Sequence, residues 1–388
     1  MKKKILFVLP TFEIGGTVVS TKNLILLLDK TKYDISVLCM TGKGTMKYMF
    51  DDIKRINTSM ILYSLAIDSW KYEKNIFKKI ISAFIRFVSK NELFYKILIK
   101  RDINIINQKG FDAIISCQER TATYFVSHTN VKNKIAWVRC DFEEYIKKHN
   151  KDYEHKIYSK FKSIVCVSDI TSKKFKNIFP QLNDKVYGIN NPQSEEYIIR
   201  QSDICDNDSR FVKNGITIVS VGRIDSIKRF TEIPKIASFL LANNIQFKWY
   251  IIGDGHLSEK ERLNENIIKE KVEDVVICLG SKNNPHYYIK NSDLLVSLSS
   301  TEACPRVINE AKILNIPIIC TDFDTAKEYI NNMENGIISS LDRIGYRILE
   351  IIQNKTLYET IKENLCEYHF DNHNIMKEIN SLINLENI

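Results

Sequence analysis

The chain has 388 residues, of which 44% are hydrophobic and 27% are charged, and its formal net charge at pH 7 is +9. This composition is ordinary for a globular protein and allows a core of normal size. At roughly 150 residues per domain, the length predicts two domains or three.

Nine cysteines are spread along the chain, and none forms a C-x-x-C pair. Their odd number and spacing suit neither a disulfide framework nor a zinc site, so we interpret them as reduced residues of a cytoplasmic protein. The apolar run after the initial M-K-K-K is interrupted by Pro10 and is too short for a signal peptide. Because no run of about 18 apolar residues occurs, no transmembrane helix is expected.

Charge is divided unevenly along the sequence. Residues 1–200 hold 35 Lys and Arg against 20 Asp and Glu, a net charge of +15, whereas residues 201–388 carry −6. This asymmetry predicts that the first half faces an anionic partner. The sequence contains no motif for DNA or RNA binding, so no motif supports nucleic acid as that partner.

Short apolar runs rich in β-branched and aromatic residues alternate with longer amphipathic ones, which is typical of βαβ units around buried parallel sheets. The predicted strands of the first half are Lys4–Leu9, Asp34–Cys39, Asp112–Cys117, Lys134–Val138 and Ser163–Val167. Those of the second half are Ile216–Val221, Phe247–Ile252, Val275–Leu279, Asp293–Leu298 and Pro317–Cys320.

The alternating pattern restarts after a polar stretch that begins at Pro192. We therefore predict two Rossmann-like, doubly wound α/β domains, residues 1–191 and 192–370. The last segment, 371–388, has a helical pattern and is expected to pack back on the first domain.

Two loops of the second domain follow predicted strands at their carboxyl ends, where α/β sheets bind ligands. In V-G-R-I-D-S-I-K, Gly222 ends the strand and is followed by Arg223 and Lys228, two cations that could clamp a diphosphate. In I-I-G-D-G, Gly253 and Gly255 could let the backbone approach a ligand. A solvated basic loop and a simple turn are the structural alternatives.

The stretch S-T-E-A-C-P-R-V-I-N-E-A places Glu302 in a loop, Pro305 in the first turn of a helix and Glu310 inside that helix. A helix N-terminus attracts anions, so a phosphate could lie there. Glu310 could then accept hydrogen bonds from two ribose hydroxyls, and Glu302 from sugar hydroxyls. The alternative is a helix that carries two exposed glutamates without function.

Together, V-G-R-x4-K, I-I-G-D-G and E-x7-E resemble the retaining glycosyltransferases of family 4, of the surface-polysaccharide or capsule type. The resemblance implies the GT-B fold, with two domains facing across a cleft, an acceptor-side first domain and a donor-binding second domain. It implies that Glu310 holds the ribose, Glu302 the donor sugar ring, and Arg223 and Lys228 the diphosphate. The other donor-binding positions that it implies are Gly15, Gly16, Gly222, Gly253, Gly255, Ala303, Cys304, Pro305, Arg306 and Val307.

One position departs from the family. Many relatives carry a histidine in a W-x-H-x-D pattern, whereas this chain reads W-V-R-C-D with Arg139 in the histidine's place. Arginine cannot act as a base, but it can pair with phosphate or stabilise charge. Transfer in this family is thought to be assisted by the leaving phosphate, so we count Arg139 with Glu302, Arg223 and Lys228 as the catalytic candidates.

The segment from Asn75 to Arg101 carries apolar residues at helical spacing with basic residues between them. Such a helix can lie on an anionic membrane surface, and its alternative is an ordinary helix whose apolar stripe faces the core. A peripheral position on the inner face of the plasma membrane is therefore expected.

The sequence thus predicts a hexosyltransferase that moves sugar from a UDP-hexose or UDP-N-acetylhexosamine to a lipid-linked or surface glycan, without cofactor or metal. Three alternatives remain open at this point. A metal-dependent GT-A transferase would use a D-x-D motif, at Asp206–Asp208 or Asp322–Asp324. The others are a sugar-nucleotide epimerase of the same fold and a sugar-nucleotide-binding protein with impaired catalysis.

Overall fold

The computed structural model describes residues 1–13, 15–66, 69 and 73–385. The chain divides into two compact units. The first comprises Met1–Gln193 together with Asp371–Ile388, and the second comprises Ser194–Phe370.

Unit 1 is built on a seven-stranded, wholly parallel sheet in the order β3-β2-β1-β4-β5-β6-β7. Its strands are β1 Lys3–Leu9, β2 Tyr33–Cys39, β3 Lys54–Ile56, β4 Ala113–Ser116, β5 Asn133–Val138, β6 Ser163–Cys166 and β7 Val186–Gly188. The central strands are buried on both faces, as a parallel sheet covered by helices requires.

Among the described residues, the helices of unit 1 lie between these strands in the chain, except the last helix, which follows unit 2. They are α1 Gly16–Leu27, α2 Met60–Leu65, α3 Ile76–Val88, α4 Glu92–Gln108, α5 Thr121–Ser127, α6 Phe142–Ile146, α7 Lys151–Tyr158, α8 Asp169–Ile178 and the C-terminal α17 Asn372–Asn384. The last of these is bound to the sheet, because Asn133 Nδ2 donates to the carbonyl oxygens of Leu382 and Ile383, both at 3.0 Å.

Unit 2 contains a six-stranded parallel sheet in the order β10-β9-β8-β11-β12-β13. Its strands are β8 Ile216–Val221, β9 Phe247–Ile252, β10 Val276–Gly280, β11 Leu294–Ser297, β12 Ile318–Thr321 and β13 Ile337–Ser339. Its helices are α9 Glu195–Ser202, α10 Ile233–Ala242, α11 Leu257–Lys269, α12 Pro285–Lys290, α13 Arg306–Ile313, α14 Ala326–Tyr329, α15 Ile344–Gln353 and α16 Lys355–Cys366.

The predicted fold class, two doubly wound α/β domains with parallel sheets, is confirmed, and all ten predicted strands are present. The sequence reading missed β3, β7 and β13. Each has three residues and lies at an edge of its sheet, so it lacks the longer apolar run that marks a buried central strand.

Both sheets reverse their strand order between a pair of neighbouring strands, β1 and β4 in unit 1 and β8 and β11 in unit 2. A buried hydrogen-bond chain joins the second pair: Trp249 Nε1 donates to Ser220 Oγ at 3.0 Å, and Ser220 Oγ donates to the Val296 carbonyl at 2.6 Å. Ligands of open α/β sheets bind outside the carboxyl ends of strands at such a reversal. The loops after β8 and β11 are therefore where a ligand-binding site of unit 2 is expected.

Candidate active site

The loops after β8 and β11 are bound to each other by their backbones. The amide of Ser300, in the loop after β11, donates to the carbonyl of Ile227, in the loop after β8, at 2.8 Å. The β8 loop is shaped from within by Asp225, whose Oδ1 accepts from the amides of Ile227 at 3.1 Å and Lys228 at 2.9 Å. These bonds fix the direction in which Lys228 leaves the loop.

Lys228 and Glu302, 74 residues apart in sequence, form an ion pair between Nζ and Oε1. The same carboxylate oxygen accepts from Ser299 Oγ at 2.8 Å. The backbone carbonyl of Glu302 accepts from Thr325 Oγ1 at 2.8 Å, which holds the loop from the other side. The two side chains are only 19% and 14% exposed, so this charged pair is held in a partly dry, ordered position.

Of the two predicted cations, Arg223 lies differently from Lys228. Its side chain is 76% exposed and pairs with Asp225 of its own loop at 3.3 Å. The structure therefore brings Lys228 to Glu302 and leaves Arg223 at the solvent-exposed edge of the β8 loop.

The glycines of the β8 and β9 loops allow the two backbones to touch. A Cβ on Gly253, whose φ is +154°, would lie 1.7 Å from the Gly222 carbonyl oxygen. A Cβ on Gly255 would lie 1.9 Å from the Ile224 carbonyl oxygen. Any side chain at either position would therefore push the loops apart, and this close approach accounts for both glycines without a ligand.

Glu310 lies on the inner side of α13, paired with Arg306 and close to His286. Its Oε1 accepts from Arg306 Nη2 at 2.6 Å, and its Oε2 lies 3.8 Å from Nε2 of His286 on α12. Burial alone would raise the pKa of Glu310, but the charge of Arg306, with a smaller effect of the neighbouring His286, outweighs it and lowers the pKa to about 2. Glu310 is therefore an ionised acceptor at neutral pH, as a group that binds hydroxyls must be.

The N-terminus of α13 begins one residue later than predicted, since Pro305 is the residue before the first helical residue, Arg306. No side chain caps this end of the helix in the part of the chain that the structure describes. Ala303 is buried and Cys304 and Val307 are partly buried beside it. The predicted phosphate-facing residues are thus gathered at one helix end.

Lys312, on the same helix, is a buried cation. Its amine donates to the Tyr329 carbonyl at 2.8 Å and lies 3.9 Å from the centroid of the Tyr368 ring, and the residue is 6% exposed. Burial lowers the pKa of Lys312 to about 8.

We expect Lys312→Met to raise the free energy of unfolding at pH 7 by about 1–2 kcal/mol. The pKa of Lys312 is lowered from 10.5 to about 8, so burying the charged amine costs roughly 3 kcal/mol of stability, at about 1.36 kcal/mol per pH unit. Methionine removes this cost but also loses the hydrogen bond to Tyr329, which is worth about 1 kcal/mol. Below pH 8 both the folded and the unfolded chain hold the proton, so the full cost applies. Between pH 8 and 10.5 the folded chain loses its proton first, and the gap between variant and wild type shrinks.

Urea unfolding at pH 7 and pH 9.5 measures this difference. Lys235→Met, at an exposed position of α10, is the matched control and should change stability little at either pH. A gap between Lys312→Met and wild type that does not change with pH would contradict the account.

In unit 1, Gly15 is the residue before α1 and Gly16 is its first residue, so these two predicted donor-binding glycines lie between β1 and α1. Ile14, which precedes them, lies outside the described residues.

Arg139 lies after β5 and its guanidinium is held by neighbours within unit 1. Nε donates to the Cys117 carbonyl at 2.8 Å, and Nη1 donates to Ser20 Oγ at 2.5 Å and to Asn191 Oδ1. The backbone around it is held by Glu119, whose Oε1 accepts from the amides of residues 139 and 140. These contacts join α1, the segment after β4 and the segment after β7. A catalytic role for Arg139 stays a prediction.

The predicted helix over 75–101 is in fact two helices, α3 and α4, separated at residues 89–91. The alternative in which its apolar stripe faces the core does not hold for most of α3. Its inner face carries Ser82, which hydrogen-bonds Ser64 at 2.9 Å, Ile85, and Arg86, which donates to Ser69 Oγ at 2.8 Å. Nine large apolar side chains of the two helices are instead exposed, each at 49% or more: Ile76, Phe77, Ile80, Ile81, Phe84, Phe87, Leu93, Phe94 and Ile97.

We call these nine residues the apolar face. Exposed apolar clusters of this kind mark interaction sites. The lysines between and beside its residues, such as Lys78, Lys79 and Lys90, are themselves exposed. Across the described ranges, no helix combines the length and the hydrophobicity that crossing a bilayer requires.

The GT-A alternative is contradicted by the two-sheet fold. The first of its D-x-D motifs is also engaged elsewhere, because Asp208 pairs with Lys282 at 2.7 Å and with Arg210 at 2.6 Å. These pairs lower the pKa of the Asp208 carboxyl far below its usual range.

The sequence reading missed four residues that shape the site: Asp225, His286, Ser299 and Thr325. Ser299 and Asp225 lie in the loops after β11 and β8, three residues before Glu302 and Lys228. Small polar residues at this spacing often hydrogen-bond their neighbours, and this is the sequence signal for both. His286 and Thr325 come from other elements, and nothing in the local sequence links them to Glu310 or Glu302.

The chain is similar in sequence and in fold to known glycosyltransferases. Residues 202–367, somewhat less than half of the chain, match the family model described as glycosyl transferases group 1. An uncharacterized glycosyltransferase of Methanocaldococcus jannaschii is 28% identical over 222 residues, which are 55% of this chain and 53% of that protein. A Campylobacter jejuni enzyme, N-acetylgalactosamine-N,N'-diacetylbacillosaminyl-diphospho-undecaprenol 4-alpha-N-acetylgalactosaminyltransferase, is 29% identical over 126 residues, 32% of this chain and 33% of that protein.

The chain therefore spans about half of the first of these relatives and about a third of the second. Over its whole length it is similar in fold to the Anabaena protein HepE, solved in complex with UDP and glucose. The TM-score is 0.74 at 16% identity, covering 98% of this chain and 99% of that one. The fold of the protein is accordingly GT-B, and its second unit carries the segment that matches the glycosyl transferases of group 1.

Proposed function

We propose that the protein is a retaining glycosyltransferase of family 4 that moves a hexose or N-acetylhexosamine from a UDP-sugar to a lipid-linked or surface glycan. The observation that carries the proposal is the meeting of Lys228 and Glu302 at the β8–β11 reversal, with Glu310 ionised on the helix that follows. The family match over the same unit and the UDP and glucose in the similar Anabaena structure support the choice of reaction and nucleotide.

In this proposal each charged group has one task. Lys228 and the N-terminus of α13 stabilise the negative charge that grows on the departing diphosphate, with Arg223 at the outer edge of the site. Glu302 accepts hydrogen bonds from the sugar ring and Glu310 from the ribose. Fixed cations then take the part that a metal ion plays in other transferases, so no metal is required.

The acceptor is proposed to be a glycan in polysaccharide biosynthesis, such as that of a capsule or lipopolysaccharide. The Campylobacter relative is named for an acceptor carried on diphospho-undecaprenol, which supports a lipid-linked chain. Such an acceptor lies at a membrane, and the apolar face with its neighbouring lysines suits an anionic bilayer surface. The proposed location is therefore cytoplasmic and peripheral, on the inner face of the plasma membrane.

A thermal-shift screen of the protein against UDP, GDP, ADP and a panel of UDP-sugars tests the proposed function. A ligand at about 100 times its dissociation constant should add roughly 2.7 kcal/mol of stability. We expect UDP or a UDP-sugar to stabilise the wild type most strongly and Glu310→Ala to lose that stabilisation. If no nucleotide stabilises the wild type, the glutamates do not hold a nucleotide sugar and the proposal fails.

A further inference from the structure

The carboxylate of Glu310 is closed off by two partners in unit 2. Its side chain is 6% exposed, with Arg306 on one oxygen and His286 beside the other. A ribose hydroxyl can reach such a carboxylate only if one of these partners moves. The E-x7-E stretch places Arg306 one helical turn before Glu310, whereas only the fold brings His286 to the other oxygen.

Arg306 is the partner that can move. It is the first residue of α13, it lies at the end of the helix where the diphosphate is proposed to bind, and its side chain is 18% exposed. Its guanidinium is charged at every relevant pH and binds a carboxylate or a phosphate equally well in geometry. Its Nε is buried and has no hydrogen-bond partner among the described residues, so its donors are not all used by Glu310.

His286 is buried more deeply than Arg306. The residue is 7% exposed and sits on α12 with its ring edge-on to Tyr197. Its Nε2 lies 3.8 Å from Glu310 Oε2, and its buried Nδ1 has no hydrogen-bond partner among the described residues. A buried ring in a packed helix gives the carboxylate a fixed anchor on one side. Glu310 therefore has one fixed partner and one exchangeable partner.

We propose that Arg306 couples recognition of the diphosphate to recognition of the ribose. The diphosphate draws the guanidinium of Arg306 away from Glu310, and the Oε1 that is released accepts a ribose hydroxyl while His286 keeps the carboxylate in place. This inference rests on the proposed function and deepens it, because it makes the site selective for nucleosides that carry phosphate. A nucleoside alone must break the pair with Glu310 and offers Arg306 nothing in exchange.

The consequence is a pair of opposite effects in one variant. Arg306→Gln removes the phosphate partner and at the same time frees Glu310. We expect the affinity for UDP to fall by about 10–100-fold, within the usual range of coupling between sites. The affinity for uridine should rise by about 5-fold or more, because no ion pair has to be broken.

Isothermal titration of wild type and Arg306→Gln with UDP and with uridine measures both affinities. His286→Gln is the second variant, and it should weaken UDP and uridine by the same factor, since the anchor of Glu310 serves both ligands. Arg262→Gln, at an exposed position of α11, is the matched control and should change neither affinity.

The melting temperature of each variant shows whether it is folded, and His286→Gln keeps the coupling testable if Arg306→Gln does not fold. Unequal effects of His286→Gln on the two ligands would then overturn the proposal.

If the affinity for UDP falls and that for uridine is unchanged in Arg306→Gln, Arg306 binds phosphate only and the coupling is wrong. If the wild type binds UDP but both ligands weaken together in Arg306→Gln, the coupling also fails while the proposed function stands. If the wild type binds no nucleoside diphosphate, the proposed function fails first.

Discussion

Replacing Glu302 by Gln is expected to lower kcat for sugar transfer by about 10³-fold while the affinity for UDP changes only a few-fold. The loss is large because the carboxylate is the group proposed to bind the sugar ring as charge develops, and removing one such preorganised group commonly costs 10²–10³-fold. The nucleotide affinity is spared because Glu302 is not proposed to contact the ribose or the base. Steady-state rates with a UDP-sugar, together with titration with UDP, separate the two quantities.

Ser299→Ala is a graded companion to this variant. It removes the hydrogen bond that Ser299 Oγ donates to Glu302 but keeps the pair with Lys228, so we expect a loss of about 10-fold in kcat. Glu302→Gln leaves Lys228 without its carboxylate, which could destabilise the fold. The melting temperature of the variant must therefore be measured and must lie above the assay temperature. Glu302→Gln with a kcat above about a tenth of the wild type would remove Glu302 from the transfer step.

Replacing Phe77, Ile80 and Phe84 by Ser together is expected to weaken binding to anionic lipid vesicles strongly. These side chains are 72%, 60% and 65% exposed, so the folded protein does not depend on their burial. Transfer of one such side chain out of water is worth about 1.5–3 kcal/mol, and losing three of them should lower the partition coefficient by at least about 100-fold. The lysines are untouched, so the residual binding should be weak and sensitive to salt.

Vesicle sedimentation with 30% phosphatidylglycerol, at roughly 50 mM and 500 mM salt, measures this binding. The matched control replaces Leu257, Ile268 and Tyr346 by Ser, since these residues of unit 2 are 63%, 56% and 58% exposed. It should bind vesicles like the wild type. If the apolar-face variant binds as well as the wild type, the face does not contact lipid. If the wild type instead forms concentration-dependent dimers that the variant lacks, the face binds a second copy of the chain.

The strands and their order along the chain were readable because a buried parallel strand must be apolar at almost every position. In the six-residue runs Ile216–Val221 and Phe247–Ile252, four and five positions are apolar, respectively. The three-residue edge strands β3, β7 and β13 were not readable, because a strand so short contains no apolar run to mark it. For helix α3, the spacing of apolar residues predicted an apolar stripe but not whether the stripe faces the core or the solvent.

The sequence by itself determined the doubly wound α/β class, the restart of the pattern near Pro192, and the position of Glu302 and Glu310 in a loop and the helix after it. Only the tertiary structure decided which distant groups meet. Lys228 pairs with Glu302, His286 lies beside Glu310, and Arg139 binds groups of its own unit. Local sequence controls backbone conformation and burial, whereas side-chain pairs across a sheet depend on the order of the strands, which brings residues 74 positions apart into contact.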